Sequence, residues 1–205
     1  MPREDALPSA LAILLPHACE RALLERFLRA EAMALWAVRA AQTQNLPRHV
    51  QTFLQRHEID EQDHLRQFEG MLGTTSQRAP TLPAVPSQWE MLAVLLFGYE
   101  ALGLEFATLL ATVRPDLADI LEDEQVHVGF FEQELKVILA GGEVGAHQAR
   151  DAARTWWKKL PRTVDRYLGD ASLAPYRTEL RQHILSVIQD RFTALGLLAA
   201  EQTGR

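Results

Sequence analysis

The chain has 205 residues, 47% of them hydrophobic and 23% charged, the balance of one globular domain and not of a disordered or fibrous chain. Its 27 acidic residues outnumber 21 basic ones for a formal net charge of -6, so phosphate backbones are not attracted and no nucleic-acid partner is expected. A single cysteine, Cys19, excludes an intrachain disulfide and an all-cysteine metal knuckle, and fits a reducing, cytoplasmic location.

The apolar run Leu7 to Leu15 follows Arg3, Glu4 and Asp5 and leads to no A-x-A cleavage site. It is also far shorter than the roughly 20 residues of a membrane span, so neither targeting nor membrane insertion is expected. From Cys19 to Gln42 there is neither Gly nor Pro, and Leu24, Phe27, Leu28, Leu35 and Val38 recur at helical spacing, which predicts a first helix. A second starts at Pro47 and carries Val50, Phe53, Leu54, Leu65, Phe68 and Leu72 until Gly70 and Gly73 weaken it. Residues 73–86 hold three prolines and no helical period, so they read as an extended connector. At about 3.3 Å per residue it reaches roughly 46 Å, more than the roughly 37 Å of a 25-residue helix, and helices two and three can therefore run parallel.

Ser87 and Glu90 have the spacing of a capping box for a third helix, which runs to about Thr112. Val113, Arg114, Pro115 and Asp116 reverse the chain into a fourth helix ending at Gly141 and Gly142. Two short links and one long one define a four-helix bundle with a single crossover over residues 18–140. A helix from Gly145 to Leu160, stopped by Pro161, and another from Pro175 to Gln202 add a C-terminal layer over 145–202. The whole chain reads as one all-α domain.

Polar residues interrupt the apolar stripes. Glu31 lies between Leu28 and Leu35; Glu61 and His64 align with Leu54, Leu65 and Phe68; Glu100 is flanked by Leu96, Phe97 and Leu104; Glu124 and His127 sit among Ile120, Val128 and Phe131. Unpaired carboxylates on a core face destabilise a fold by several kcal/mol. Four of them on facing stripes require positive charge between them, and two divalent ions supply it. One Glu from each of two helices plus Glu-x-x-His from each of the other two is the ligand pattern of a dimetal carboxylate site. Glu105 is the rival to Glu100 for the third helix. His57, one turn before Glu61, reads as a partly exposed side chain or a neighbour of the ligands, and Asp60 and Asp63 as a solvated acidic face. Tyr99, Trp36 and His183 read as core packing, and Trp156 and Trp157, beside Lys158 and Lys159, as packing or a subunit contact.

Through Glu31, Glu61-Gln62-Asp63-His64, Glu100 and Glu124-Gln125-Val126-His127, residues 18–140 resemble the ferritin-like di-iron carboxylate superfamily, which includes bacterioferritins, rubrerythrins and bacterial multicomponent hydroxylases. The resemblance implies the bundle fold and two iron ions, with manganese or a mixed manganese and iron pair as alternatives. It also implies that Glu31 and His64 hold one ion with Glu61 bridging, and Glu100 and His127 the other with Glu124 bridging. The expected function is an oxidoreductase that uses dioxygen or a peroxide to oxidise a small-molecule substrate, served by an electron-donor protein and built as a monomer or homodimer. Ferrous oxidation with iron storage, and di-manganese peroxide disproportionation, are the alternative activities.

Overall fold

The computed structural model describes residues 14–74 and 84–199. Six α-helices and no strand occur among them: α1 Glu20–Gln42, α2 Arg48–Leu72, α3 Trp89–Val113, α4 Ala118–Ala140, α5 Glu143–Tyr167 and α6 Arg177–Ala194. The apolar run before Leu14 and most of the proline-rich connector lie outside the described residues, as does the chain from residue 200.

Side-chain pairs fix how the helices lie. Phe27 meets Phe68, Glu31 meets His64 and Arg39 meets Glu58, so residue numbers rise along α1 as they fall along α2 and the two are antiparallel. Between α2 and α4 the pairs are His49 with Glu134, Phe53 with Phe130 and His64 with Asp123, again antiparallel. Arg114, just past α3, donates to Glu20 at the start of α1, and α3 packs directly against α1, α4, α5 and α6. Helix α3 is therefore the central element, with Leu92, Leu96, Phe97, Phe106, Leu109 and Leu110 almost wholly enclosed. By length and composition it would suffice to cross a membrane, yet 78% of its most apolar window is buried inside the protein.

Local chemistry sets several ends. Gly73 stops α2 in the left-handed region at φ 63°, and the Thr74 amide donates to the Glu69 carbonyl, the usual glycine closure of a helix. Gly196, at φ 74°, closes α6 in the same way, with the Leu197 amide on the Phe192 carbonyl. Thus α6 ends at Ala194 instead of near Gln202. The expected Ser87 box is absent: Gln88 is the N-cap of α3 and no side chain caps it.

Pro161 does not stop α5, which continues to Tyr167. An interior proline costs about 3 kcal/mol, but Leu160 and Val164 on either side of it are 2% and 0% exposed, and that burial offsets the cost. On its buried face α5 presents Ala149 and Ala153, whose small side chains permit close approach of the packed helices. A β-carbon at Gly98 of α3 would run into the Trp156 indole, so the glycine makes the socket in which α5 is anchored. Trp156 also stacks on Phe192 of α6 at 5.1 Å.

Candidate metal centre

Seven ionisable side chains converge where α1 to α4 face one another: Glu31, His57, Glu61, His64, Glu100, Glu124 and His127, none more than 2% exposed. Their donor atoms form two groups, each mutually within 4.8 Å: Glu31, Glu61, His64 and Glu124 in one, and His57, Glu61, Glu100 and His127 in the other. Glu61 belongs to both. The chain thus has buried acid and histidine clusters able to hold metal ions.

Each imidazole in the Glu-x-x-His pairs is oriented from behind. The Nε2 of His64 donates to Asp123 at 3.2 Å, and the Nε2 of His127 donates to Asp60 at 3.4 Å. A carboxylate only accepts, so the proton sits on Nε2 and the lone pair of Nδ1 points inward. The bracing is reciprocal: each aspartate precedes the Glu of its own helix and holds the histidine of the opposite one. Such outer partners fix the tautomer of a metal-ligating histidine.

Inside, the Nδ1 of His64 lies 3.6 Å from Glu31 Oε2 and 3.8 Å from Glu124 Oε1, while the Nδ1 of His127 lies 3.6 Å from both Glu61 Oε1 and Glu100 Oε2. These separations exceed a hydrogen bond. Glu31 Oε2, Glu61 Oε2, Glu100 Oε1 and both Nδ1 atoms are buried without a hydrogen-bond partner. Orphaned buried acceptors of this density are rare in folded proteins, and carboxylate oxygens with neutral imidazole nitrogens suit a first-row divalent ion. The residues fit a pair of such ions.

The electrostatics agree. Burial, together with the Glu124 and Glu100 charges, pushes the Glu31 carboxyl well above its usual range. Burial and the neighbouring Glu31 do the same to Glu61, and burial with Glu100 and Glu61 to Glu124. Burial opposes the charge on Glu100 too, but His57 and His127 beside it hold that carboxyl low. Without a cation the centre holds protons in place of one.

Glu105 stands apart from these groups. Its Oε2 lies 3.5 Å from His183 Nε2 of α6, and burial, against the opposing charge of Arg191, raises its carboxyl to about 7. His183 therefore meets Glu105 and not the centre.

Three placements depart from the sequence reading. His57 is 1% exposed and lies inside the centre. Glu124, expected to bridge beside Glu100 and His127, groups with Glu31, Glu61 and His64, and His57 joins Glu100 and His127. Asp60, read as solvated surface, braces a histidine, as does Asp123 of α4; the Asp-Glu-x-x-His repeat, present in both α2 and α4, was the available signal.

A small cavity lies against the α1 and α3 side of the centre, lined by Ala30, Met33, Ala34, Tyr99, Gly103 and Tyr167 and reaching Glu31, Glu100 and Glu124. Gly103 has its own role: a β-carbon there would sit 2.8 Å from Glu124 Oε2. Tyr167 enters from α5, with its hydroxyl 3.9 Å from the Met33 sulfur. Burial pushes that phenol up to about 12, so it stays protonated. Its place could not be read from a sequence in which Pro161 seemed to end α5.

An all-helical protein with buried carboxylate and histidine clusters is the class these features define. Compared with known protein families, with curated proteins and with solved structures, the chain matches none.

Proposed function

We propose that the chain is a dimetal carboxylate oxidoreductase in which α1 to α4 form a ferritin-like four-helix bundle with one long crossover. Helices α2 and α3 are each antiparallel to α1, as that connectivity requires. The observation that carries the proposal is the convergence of seven buried side chains, with Glu31 Oε2, Glu61 Oε2, Glu100 Oε1 and the Nδ1 atoms of His64 and His127 left without a protein partner.

Glu31, His64 and Glu124 would hold one ion, Glu100 and His127 the other, and Glu61 would span both. Iron is the proposed occupant, since carboxylate-rich sites stabilise its oxidised state. Bound there, two ferrous ions would supply the electrons that reduce dioxygen or a peroxide. The chain's own part is to keep water out, to orient the donors through Asp60 and Asp123, and to shape the cavity. Ala30, Ala34 and Gly103 leave a small space beside Glu31 and Glu124 that admits a molecule about the size of water or dioxygen, and Tyr167 keeps a proton at its hydroxyl beside that space. A donor protein returns the electrons.

Anaerobic loading with ferrous iron followed by exposure to dioxygen tests the reading. About two ions per chain and oxygen uptake beyond that of free iron are expected, with both lost in Glu61→Ala and helical content retained. Binding of no metal by the wild type refutes the centre. Accumulation of hundreds of iron atoms in a large shell, or rapid disproportionation of hydrogen peroxide by a manganese-loaded sample, assigns the bundle to a different activity.

A further inference from the structure

We infer that His57 is a seventh metal ligand, acting through Nε2, and that it makes the two halves of the centre chemically unequal. The inference rests on the dimetal reading above and goes beyond its six-residue ligand set.

The geometry is specific to this side chain. His57 Nε2 donates to Glu61 Oε1 at 3.0 Å and lies 3.4 Å from Glu100 Oε2, and an ion bound there would take the place of that proton. Glu61 Oε1 and Glu100 Oε2 are the same two oxygens that stand 3.6 Å from His127 Nδ1. One nitrogen from each ring therefore faces one pair of carboxylate oxygens, and all four donors can address a common ion. The two rings lie 3.7 Å apart at 32°, with Phe53 and Phe131 packed against the His57 ring at 5.6 and 6.0 Å. This apolar wall leaves the ring little freedom to swing out. His57 also differs from the two braced histidines. Its Nδ1 is buried with no partner, so no outer carboxylate dictates its tautomer, and the nitrogen it turns to the carboxylates is Nε2 instead of Nδ1.

The consequence is compositional. The half formed by His57, Glu61, Glu100 and His127 offers two nitrogens and two carboxylates, while the half formed by Glu31, Glu61, His64 and Glu124 offers one nitrogen and three carboxylates. Imidazole favours the later first-row divalent ions, whereas carboxylates suit manganese and other oxygen-preferring ions. The His57 half thus takes the first equivalent of a nitrogen-preferring ion, and the Glu31 half is left as the more manganese-tolerant position.

Cobaltous ion is the probe, because its paramagnetism shifts the proton resonances of its ligands. A neutral imidazole bound through one nitrogen keeps one exchangeable N–H on the other. Titration of the metal-free full chain, followed by proton NMR, is expected to show two shifted exchangeable N–H signals at the first equivalent and a third only at the second. In His57→Ala the first binding step should weaken by about tenfold or more, while His64→Ala should lose the second step and keep the first. One exchangeable signal at the first equivalent, three signals growing together, or unchanged affinity in His57→Ala overturns the inference. The wild-type titration decides the matter even if a variant fails to fold. Absence of any cobalt binding refutes the dimetal reading itself, whereas two bound ions with one imidazole each refute the seventh ligand alone.

Discussion

Asp60 and Asp123 are the side chains whose part in the centre is easiest to isolate, because they touch histidines and not the space between the carboxylates. Replacing either by Asn keeps the shape but lets the side-chain amide offer an N–H where only an acceptor suits His127 or His64, which removes the preference for an inward lone pair. Metal affinity should fall about 10- to 100-fold while helical content is unchanged, read by competition with a chromophoric chelator; equal affinity in both variants contradicts the bracing. Gly103→Ala is the matching test from the other side. Its methyl would press on Glu124 Oε2, 2.8 Å from the β-carbon position, so ion binding should weaken, although alanine is the better helix former by about 1 kcal/mol. A variant that binds ions more weakly yet melts no lower without them separates the ligand effect from a folding defect. The six polar residues on the apolar stripes were legible in the sequence because each breaks an otherwise hydrophobic period. His57 was not, since a histidine four residues before Glu61 shares that face at either depth, and only packing against Phe53 and His127 fixes it inside.

At the level of elements, the four long helices were legible from spacing and from Gly and Pro punctuation, whereas the ends were decided by contacts that spacing does not record. Pro161 shows the limit: local preference argued for a stop, and the buried Leu160 and Val164 carried the helix on to Tyr167. The docking of α5 and α6 on α3 depends on two small sites. Gly98→Ala should force the Trp156 indole out of its socket and lower stability by about 1–3 kcal/mol, seen in urea melts, with a larger loss of α5 than of α2 protection in hydrogen exchange. Glu105, under α6, gives a pH signature. Burial raises its folded pKa to about 7 from the roughly 4.3 of an ordinary glutamate in an unfolded chain, so its contribution is fully present below that lower value and is lost as pH rises through 7, because only the folded state still binds the proton in that window. Glu105→Gln should flatten this part of the stability profile, by up to about 3 kcal/mol between pH 5 and 8. A profile unchanged by the substitution shows the carboxyl already ionised at pH 5, paired with His183 and Arg191.

Across the whole molecule, the metal-free centre and the metal-loaded one should respond to pH in opposite directions. Glu31, Glu61 and Glu124 have raised folded pKa values, caused first by burial. His57 is raised by Glu100 and Glu61 in spite of its burial. For all four the folded state binds protons more tightly than the unfolded chain, so stability present at low pH is lost as pH climbs through their folded values. Glu100 runs the other way, but its lowered value places that effect below the window. The metal-free protein should therefore be more stable at pH 5.5 than at pH 7.5. A divalent ion must displace those same protons, so it binds better at pH 7.5, and an ion at a hundred times its dissociation constant adds about 2.7 kcal/mol there. Chemical denaturation at the two pH values, with and without manganous ion under anaerobic conditions, reads all four combinations. The expected order is a metal-free protein weakened by the higher pH and a loaded protein strengthened by it. A metal-free protein that gains stability between pH 5.5 and 7.5 would mean that the buried carboxylates are already ionised and balanced by charges of the protein itself, which would remove the electrostatic reason for a cation at the centre.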